Sequence, residues 1–215
     1  MPDTTFNSAL VAATAELARR DPVMARLAEQ AGPSRLGERR GQRSHFWALC
    51  ESVAYQQLAG KAAAAIFGRF LEAVGGEVTP ERVLALSEDE LRAPGLSGAK
   101  ARCIRALAER AASGELPLEA LDDLPDDEIV AALSAVPGIG RWTAEMFLLF
   151  QLGRLDVWPV GDYGVRKGYA LAYGLPEIPS PKELAGLGER FRPYRSVAAW
   201  YCWRAVEAVT PGGRA

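Results

Sequence analysis

Apolar residues recur along the chain at helical spacing, and runs that alternate between apolar and polar residues are nearly absent. The segment HFWALCESVAYQQL, which follows Ser44, is an example, because its apolar positions repeat with the period of an α-helix. Capping-box patterns at Ser87 to Glu90 and at Ser180 to Glu183 indicate two further helix starts, and Ser97 can cap another. The pattern predicts about ten helices and an all-α fold.

Two short segments of the chain resemble each other. Pro94 to Ala101 reads PGLSGAKA, and Pro137 to Ala144 reads PGIGRWTA. Each segment is predicted to follow a short helix and to open a longer one. We therefore expect two helix-turn-helix joints of one type, with chance similarity between eight-residue segments as the alternative.

Length and composition are those of an ordinary globular protein. The chain has 215 residues, of which 49% are apolar and 24% are charged. No apolar run approaches the roughly 18 to 20 residues that a membrane helix needs, and the first residues lack the order of a secretion signal. These features predict a cytoplasmic protein without a membrane partner.

Charge and cysteine content restrict the kinds of site that the chain can carry. With 25 basic and 27 acidic side chains the net charge is -2, which argues against a protein that binds nucleic acid through its bulk charge. The three cysteines, Cys50, Cys103 and Cys202, are far apart in the sequence and are predicted to be core residues or free thiols. Any contact with DNA must therefore come from a local surface.

A candidate anion site lies in the second of the two similar segments. Gly138 and Gly140 allow unusual backbone angles in the turn, and the following helix presents backbone N–H groups at its positive end. Glycines also let a phosphate approach these groups closely. The alternative is a plain tight turn in a helical bundle.

A candidate carboxylate follows about twenty residues later, in DVWPVGDYGVRKG. Asp162 is predicted to be the N-cap of a helix, which is the whole role of most aspartates at such positions. A carboxylate at a helix N-terminus is also favoured in its ionised form. It can therefore stabilise a positive charge that develops beside it during a reaction.

The string LSAVPGIGRWTAEMFLLF resembles the helix-hairpin-helix motif of the base-excision DNA glycosylases, and most closely their 3-methyladenine glycosylase II branch. Looser similarity extends from about Asp21 to Arg204. The resemblance implies one unit over residues 1–215, with two helical lobes and a cleft between them. Residues 46–154 would form a central lobe with the hairpin at 125–151, and residues 1–45 plus 155–215 a second lobe that carries Asp162.

The resemblance also implies how the reaction proceeds. Asp162 takes the place of the family's catalytic aspartate, although Gly161 stands where many relatives have a second acidic residue. Bifunctional relatives carry a lysine nucleophile at the position of Trp142. We therefore expect a monofunctional enzyme in which water is the nucleophile and no DNA strand is cut.

Several residues are implied to contact DNA. The backbone N–H groups of Gly138, Gly140 and Thr143 would hold a phosphate, with Ile139 between them. The carbonyls of Ser134, Val136 and Ile139 would bind a monovalent cation, Na⁺ or K⁺. Leu58 would fill the gap left by a flipped nucleotide, with Gln57 as its polar neighbour.

Aromatic residues are implied to receive the flipped base, namely Trp142, Tyr163, Tyr201 and Trp203. Such a pocket favours alkylated purines that carry a positive charge, because the faces of aromatic rings attract cations. Core packing is the alternative for each of these four residues, whereas Trp200 and His45 are expected to be structural.

The resulting hypothesis is a DNA glycosylase for bases of the 3-methyladenine and 7-methylguanine type, acting as a monomer on double-stranded DNA. No catalytic cofactor is expected, and an iron-sulfur cluster is disfavoured because the chain lacks four cysteines. The alternatives are a non-catalytic helix-hairpin-helix DNA-binding module, a glycosylase for oxidised or deaminated bases, and an all-α scaffold unrelated to DNA.

Overall fold

A computed structural model of the chain describes residues 4–38, 40–58 and 60–209. These ranges contain twelve α-helices, two 3₁₀ helices and one π-helix, and no strand, which confirms the all-α prediction. The α-helices are α1 (Thr4–Arg20), α2 (Pro22–Ala31), α3 (His45–Tyr55), α4 (Gly60–Ala73), α5 (Pro80–Leu84), α6 (Glu88–Arg92), α7 (Gly98–Ala112), α8 (Asp126–Ser134), α9 (Arg141–Phe147), α10 (Tyr163–Tyr173), α11 (Pro181–Gly188) and α12 (Arg195–Val209). The 3₁₀ helices span Leu118–Asp123 and Glu189–Phe191, and the π-helix spans Leu148–Leu152.

Helix starts follow the capping residues that the sequence indicated. The side chains of Ser87 and Ser180 each form a full capping box with the glutamate three residues later. Ser44 and Ser97 accept hydrogen bonds from the backbone N–H three residues on, and so does Asp162. The described ranges contain more helices than the ten or so expected, and the N-termini at these five capping residues are encoded locally.

The chain divides into two compact units. We call the first the terminal unit: it consists of the described residues up to Glu38 and from Leu148 on. The central unit consists of the described residues between them, up to Phe147. The sequence-based boundaries at 45/46 and 154/155 lie later in the chain.

Local contacts explain where these boundaries fall. In the central unit, His45 lies 3.4 Å from Asp122. In the terminal unit, Phe150 stacks on Trp203. Both His45 and Phe150 therefore pack in the unit opposite to the one that the sequence-based boundaries imply.

The terminal unit is organised around α12, which packs against α10 and α2. Gly168 on α10 lies so close to the Cys202 carbonyl of α12 that no larger side chain fits there. Gly164, one turn earlier, faces the Trp203 ring in the same way, since an added Cβ would lie 2.8 Å from it. Two glycines thus bring α10 and α12 close enough for residues at the start of α10 to contact α12.

The central unit packs α3 against α4, α7 and α9. Its core includes stacked Phe67 and Phe70 on α4, with Trp47 of α3 edge-on to Phe67. His45 is buried, lies edge-on to Phe147, and has a ring nitrogen 3.4 Å from Asp122. This environment agrees with the structural role expected of the single histidine.

The two similar segments form the same kind of joint. Gly95 and Gly138 occupy equivalent positions and both have positive φ, 104° and 94°. The next residues, Leu96 and Ile139, are both buried, and the following helices begin three residues after the glycines, at Gly98 and Arg141. The repeat read from the sequence is therefore confirmed, although α9 is only seven residues long before it passes into the π-helix.

Cys50, Cys103 and Cys202 are buried free thiols, as expected. Burial raises the pKa of Cys103 to about 11 and holds the pKa values of the other two thiols well above their usual range. None of the helices in the described ranges has both the length and the apolar character that crossing a membrane requires.

Candidate active site and DNA interface

The Asp162 carboxylate is buried at the N-terminus of α10, and one of its oxygens is held by two donors. Oδ1 accepts a hydrogen bond from the backbone N–H of Val165 at 2.7 Å and another from the Trp203 indole N–H at 2.9 Å. The first bond is the helix cap, and the second comes from α12. Asp162 is therefore held in one orientation by two elements, which an ordinary N-cap is not.

The loop that leads to Asp162 is also tied to α12. Ser196 Oγ accepts a hydrogen bond from the Val157 N–H at 2.8 Å and donates one to the Arg154 carbonyl at 2.6 Å. Arg195 forms an ion pair with Asp156 at 2.7 Å. One helix thus anchors the loop and supplies the indole that contacts the carboxylate.

Trp203 forms an aromatic pair with Phe150 beside this carboxylate. The two rings stack with centroids 5.6 Å apart and an interplanar angle of 27°. Phe150 is 41% exposed and lies in the π-helix, an irregular element that is frequent at functional sites. Sequence analysis missed Phe150, because in the apolar run EMFLLF it lies four residues after buried Met146, which is the spacing of a core residue in a regular α-helix.

The other predicted pocket residues have three different environments. Tyr163 follows Asp162 and is 60% exposed, and Trp142 is 42% exposed on α9 of the central unit. Tyr201 is 1% exposed, and its hydroxyl lies 3.1 Å from the Gly32 carbonyl. The prediction for Tyr201 is corrected: it lies on the side of α12 that packs on α1 and α2 and cannot contact a base. Trp200 is in the core, as expected.

The Pro137 to Ala144 hairpin is packed tightly on α7. A Cβ on Gly138 would lie 2.8 Å from Cys103 Cβ, so neither the backbone angle nor the space admits another residue. Within the described ranges, no acceptor is bonded to the backbone N–H of Gly138, Gly140 or Thr143. These three groups can therefore bind an external anion.

The turn after α3 carries the residues predicted to enter the DNA. We call Gln56, Gln57 and Leu58 the wedge turn. Gln57 has a φ of 56°, unusual for a residue other than glycine, and Leu58 is 40% exposed. Gln57 is also exposed, whereas Gln56, which sequence analysis did not select, donates hydrogen bonds to the Gly138 carbonyl at 3.2 Å and Thr143 Oγ at 3.1 Å.

A cation at the hairpin would need backbone ligands. In the part of the chain that the structure describes, no three His, Cys, Asp or Glu side chains are grouped to hold a metal ion. The Ser134 carbonyl belongs to the last turn of α8, where helix carbonyls lack intrahelical donors. Val136 and Ile139 lie in the turn that follows, and the Val136 carbonyl accepts the Ile139 N–H at 3.0 Å. Neutral carbonyl oxygens of this kind suit a hard monovalent ion.

Known proteins resemble this chain over most of its length. Residues 50–193 match the HhH-GPD superfamily of base excision DNA repair proteins. DNA-3-methyladenine glycosylase 1 of Schizosaccharomyces pombe is 36% identical over 200 residues, covering 92% of this chain and 88% of that protein.

Two solved structures resemble the fold over most of its length. The 3-methyladenine DNA glycosylase of Schizosaccharomyces pombe in complex with abasic DNA has a TM-score of 0.84 and 34% identity, over 94% of this chain and 98% of that one. A DNA-3-methyladenine glycosidase of Bacillus halodurans has a TM-score of 0.77 and 38% identity, over 88% of this chain and 86% of that one. The chain therefore belongs to the HhH-GPD superfamily of base excision DNA repair proteins, in its DNA-3-methyladenine glycosylase branch, as its hairpin sequence predicted.

Proposed function

We propose that the protein is a monofunctional DNA glycosylase that hydrolyses the N-glycosidic bond of alkylated bases, of the 3-methyladenine and 7-methylguanine type, in base excision repair. The observation that carries this proposal is the buried Asp162 carboxylate, which is oriented by Val165 and Trp203 next to the exposed Phe150 ring that stacks on Trp203. The names of the relatives in this branch support the choice of substrate.

Asp162 would act on the sugar of a flipped nucleotide. Departure of the base with the bonding electrons leaves an oxocarbenium-like sugar, which a fixed carboxylate stabilises. Water then attacks the anomeric carbon, and the carboxylate accepts its proton. The products are a free base and an abasic site in an intact strand. No lysine takes part, in keeping with Trp142 at the position of the lyase nucleophile.

The aromatic residues would select the lesion. Half-buried Trp203 and exposed Phe150 form a stacked pair next to Asp162, and Tyr163, which follows Asp162 in the chain, is exposed. A purine that carries a positive charge after alkylation gains about 0.5 to 2 kcal/mol from each favourable ring contact, whereas a normal base gains less. Such a purine is also a good leaving group, so that a strong general acid is unnecessary. Trp142, which is 42% exposed, stays a predicted contact of the base.

The hairpin would hold the DNA backbone. The N–H groups of Gly138, Gly140 and Thr143 are proposed to bind one phosphate, and the carbonyls of Ser134, Val136 and Ile139 a Na⁺ or K⁺ ion. That ion would neutralise part of the phosphate charge. Phosphate contacts of this kind position the duplex without reading its sequence, which suits a repair enzyme that searches for damage.

Leu58 would replace the base that has left the stack. Its exposed side chain at the tip of the wedge turn is apolar, and an apolar plug restores part of the lost stacking. Gln57, exposed beside it, would meet the polar edges of the neighbouring bases.

Release of free bases from methylated double-stranded DNA tests the proposal. We expect 3-methyladenine and 7-methylguanine to be released, Asp162→Asn to abolish release while retaining DNA affinity, and exposed Asp127→Asn to behave as wild type. Binding without release of any base would indicate a non-catalytic module. Release confined to oxidised or deaminated bases would identify a different lesion class. Absence of DNA affinity would exclude the alkylbase glycosylase, the non-catalytic module and the glycosylase for another lesion alike.

The monofunctional mechanism has its own test. Sodium borohydride should trap no covalent adduct between the protein and DNA during base release, because no Schiff base forms. A high yield of trapped adduct would contradict the proposal that water is the nucleophile.

The cation is tested by exchange of salts at constant ionic strength. Replacing K⁺ by tetramethylammonium should weaken DNA binding, since the four methyl groups keep carbonyl oxygens away from the charge of that ion. Treatment with a divalent-metal chelator should leave base release unchanged. Equal affinity in the two salts would mean that the hairpin holds phosphate without a cation.

The monomeric state and the cytoplasmic location stay predictions. Measurement of the molecular mass in solution tests the monomeric state.

A further inference from the structure

The two hairpins of the central unit meet on one residue of the wedge turn. Lys100 and Thr143 occupy equivalent positions in the two similar segments. Thr143 Oγ accepts a hydrogen bond from the Gln56 side chain at 3.1 Å, and Lys100 Nζ donates one to the Gln56 carbonyl at 2.7 Å. The same residue is thus held through its side chain by one hairpin and through its backbone by the other.

The two hairpins differ at the residue that decides whether they can bind an anion. In the Pro94 to Ala101 hairpin, Ser97 Oγ accepts the Lys100 N–H at 3.3 Å, so that the helix start is closed by its own side chain. The equivalent residue in the other hairpin is Gly140, which has no side chain to close it. Gly95, the equivalent of Gly138, also donates its N–H to the Arg92 carbonyl at 2.8 Å. Two of the three equivalent donors are thus used in this hairpin, whereas within the described ranges no acceptor is bonded to the N–H groups of Gly138 and Thr143.

The Lys100 ammonium group makes a second hydrogen bond within the protein. Its ammonium group donates to the carbonyl of Ala54 at 2.8 Å as well as to that of Gln56. Both carbonyls lie at the C-terminal end of α3, where helix carbonyls lack intrahelical donors and carry partial negative charge. Lys100 thus caps α3 from a different helix, and its ammonium group is directed at carbonyls of the protein.

The segment held in this way has a backbone that needs support. Gln57 adopts a left-handed φ of 56°, and such a conformation persists only where the surroundings impose it. Its neighbour Gln56 is fixed by Lys100 on the backbone and by the Pro137 to Ala144 hairpin on the side chain. Leu58 follows directly, so that its place depends on these bonds.

We infer that Lys100 and Gln56 are positioning residues for base flipping, which hold the wedge turn in register with the phosphate-binding hairpin. The Pro94 to Ala101 hairpin is then a copy of the other hairpin that holds the wedge turn and binds no phosphate. This inference rests on the proposed function, in which Leu58 fills the gap left by the flipped nucleotide. It assigns a role to two residues that contact neither the base nor the sugar.

The experiment compares binding to an intact duplex with binding to a duplex that contains a tetrahydrofuran abasic analogue. Wild type should bind the duplex with the abasic analogue more tightly than the intact duplex. Lys100→Met should lower this preference about tenfold or more, as expected for a hydrogen bond to a charged group, and leave affinity for the intact duplex unchanged. Gln56→Leu should act in the same direction, and Lys182→Met, an equal charge loss at an exposed site on α11, should have no effect.

Salt dependence separates this role from a direct phosphate contact. If Lys100 bound phosphate, Lys100→Met would weaken both duplexes equally and reduce the slope of log K against log salt by about 0.9. We expect an unchanged slope, and the reduced slope would overturn the inference.

A double-mutant cycle separates positioning from general stability. In a Leu58→Ala background, Lys100→Met should have little further effect on the preference for the abasic duplex, because the side chain that Lys100 positions is gone. Additive losses would overturn the inference. Circular dichroism and thermal unfolding identify variants that fail to fold, and Gln56→Leu then carries the test. The readout needs no base release. A wild type that prefers the abasic duplex but excises no base would therefore refute the proposed function and leave the positioning role standing.

Discussion

The Asp162 carboxylate combines two roles that the sequence cannot separate. As an N-cap it accepts the Val165 N–H, and as the candidate catalytic group it accepts the Trp203 indole N–H on the same oxygen. The second bond joins α10 to α12 and fixes the direction of the carboxylate. A catalytic group must be held within a fraction of an ångström of its productive position, and the indole supplies that restraint.

Replacement of Trp203 by Phe tests this restraint. The variant keeps an aromatic ring to stack on Phe150 but loses the donor to Asp162. We expect the single-turnover rate of base release to fall about tenfold or more, from the ~1.5–3 kcal/mol that a hydrogen bond to a charged group contributes. Trp47→Phe, at a half-buried tryptophan that packs edge-on to Phe67 in the central unit, is the matched control. An unchanged rate for Trp203→Phe would show that the capping bond alone orients the carboxylate.

The cysteines give a second prediction at the residue scale. Because burial raises the pKa of Cys103 to about 11 and keeps Cys50 and Cys202 out of solvent, none of them is a thiolate at neutral pH. The folded protein should not react with Ellman's reagent at pH 8 within minutes, and three thiols should react after denaturation. Rapid reaction of one thiol in the native state would contradict the buried positions.

At the scale of elements, the Pro137 to Ala144 hairpin places different demands on its two glycines. Gly138 has a φ of 94° and lies against Cys103, whereas Gly140 has neither constraint and open space where a Cβ would be. The first glycine is therefore required by the fold. The second leaves room beside the backbone donors, which is what an approaching phosphate needs.

Alanine substitutions distinguish the two glycines. Gly138→Ala should lower the free energy of unfolding by about 1 to 3 kcal/mol from backbone strain, with more from the contact with Cys103. Gly140→Ala should unfold like wild type but bind DNA more weakly, since its Cβ obstructs the phosphate. Denaturant unfolding and DNA titration measure the two effects. Equal destabilisation by both substitutions would refute the division of roles.

At the scale of the whole molecule, the balance of charge limits how the protein binds DNA. A net charge of -2 provides no basic field, so that affinity must come from a few backbone donors and local side chains. Each phosphate contact contributes about 0.9 to the slope of log K against log salt. A hairpin that holds one or two phosphates therefore predicts a shallow dependence.

Titration at several salt concentrations measures this slope. We expect a magnitude below about 4 for an intact duplex, corresponding to few phosphate contacts. Asp162→Asn is the control variant in this titration, because it removes one negative charge and leaves the hairpin unchanged. A slope steeper than about 7 would mean that an extensive basic surface, rather than the hairpin, binds the duplex.

The sequence by itself determined those features that depend on neighbouring residues. Helix starts at Ser44, Ser87 and Ser97 were readable because a cap is a contact over three residues. The two hairpins were readable because a positive φ requires glycine at a fixed place in the turn, and Asp162 was readable as the cap of α10. These contacts involve little tertiary context, and local chemistry therefore predicts them.

Only the tertiary structure decided which side of a helix meets which partner. Tyr201 and Trp203 lie two positions apart on α12, yet one is buried against α2 and the other contacts Asp162. Phe150 and Gln56 were missed because their partners are far away in the sequence. The direction in which a side chain points follows from helix packing, which is set by the sum of many distant contacts that no local pattern records.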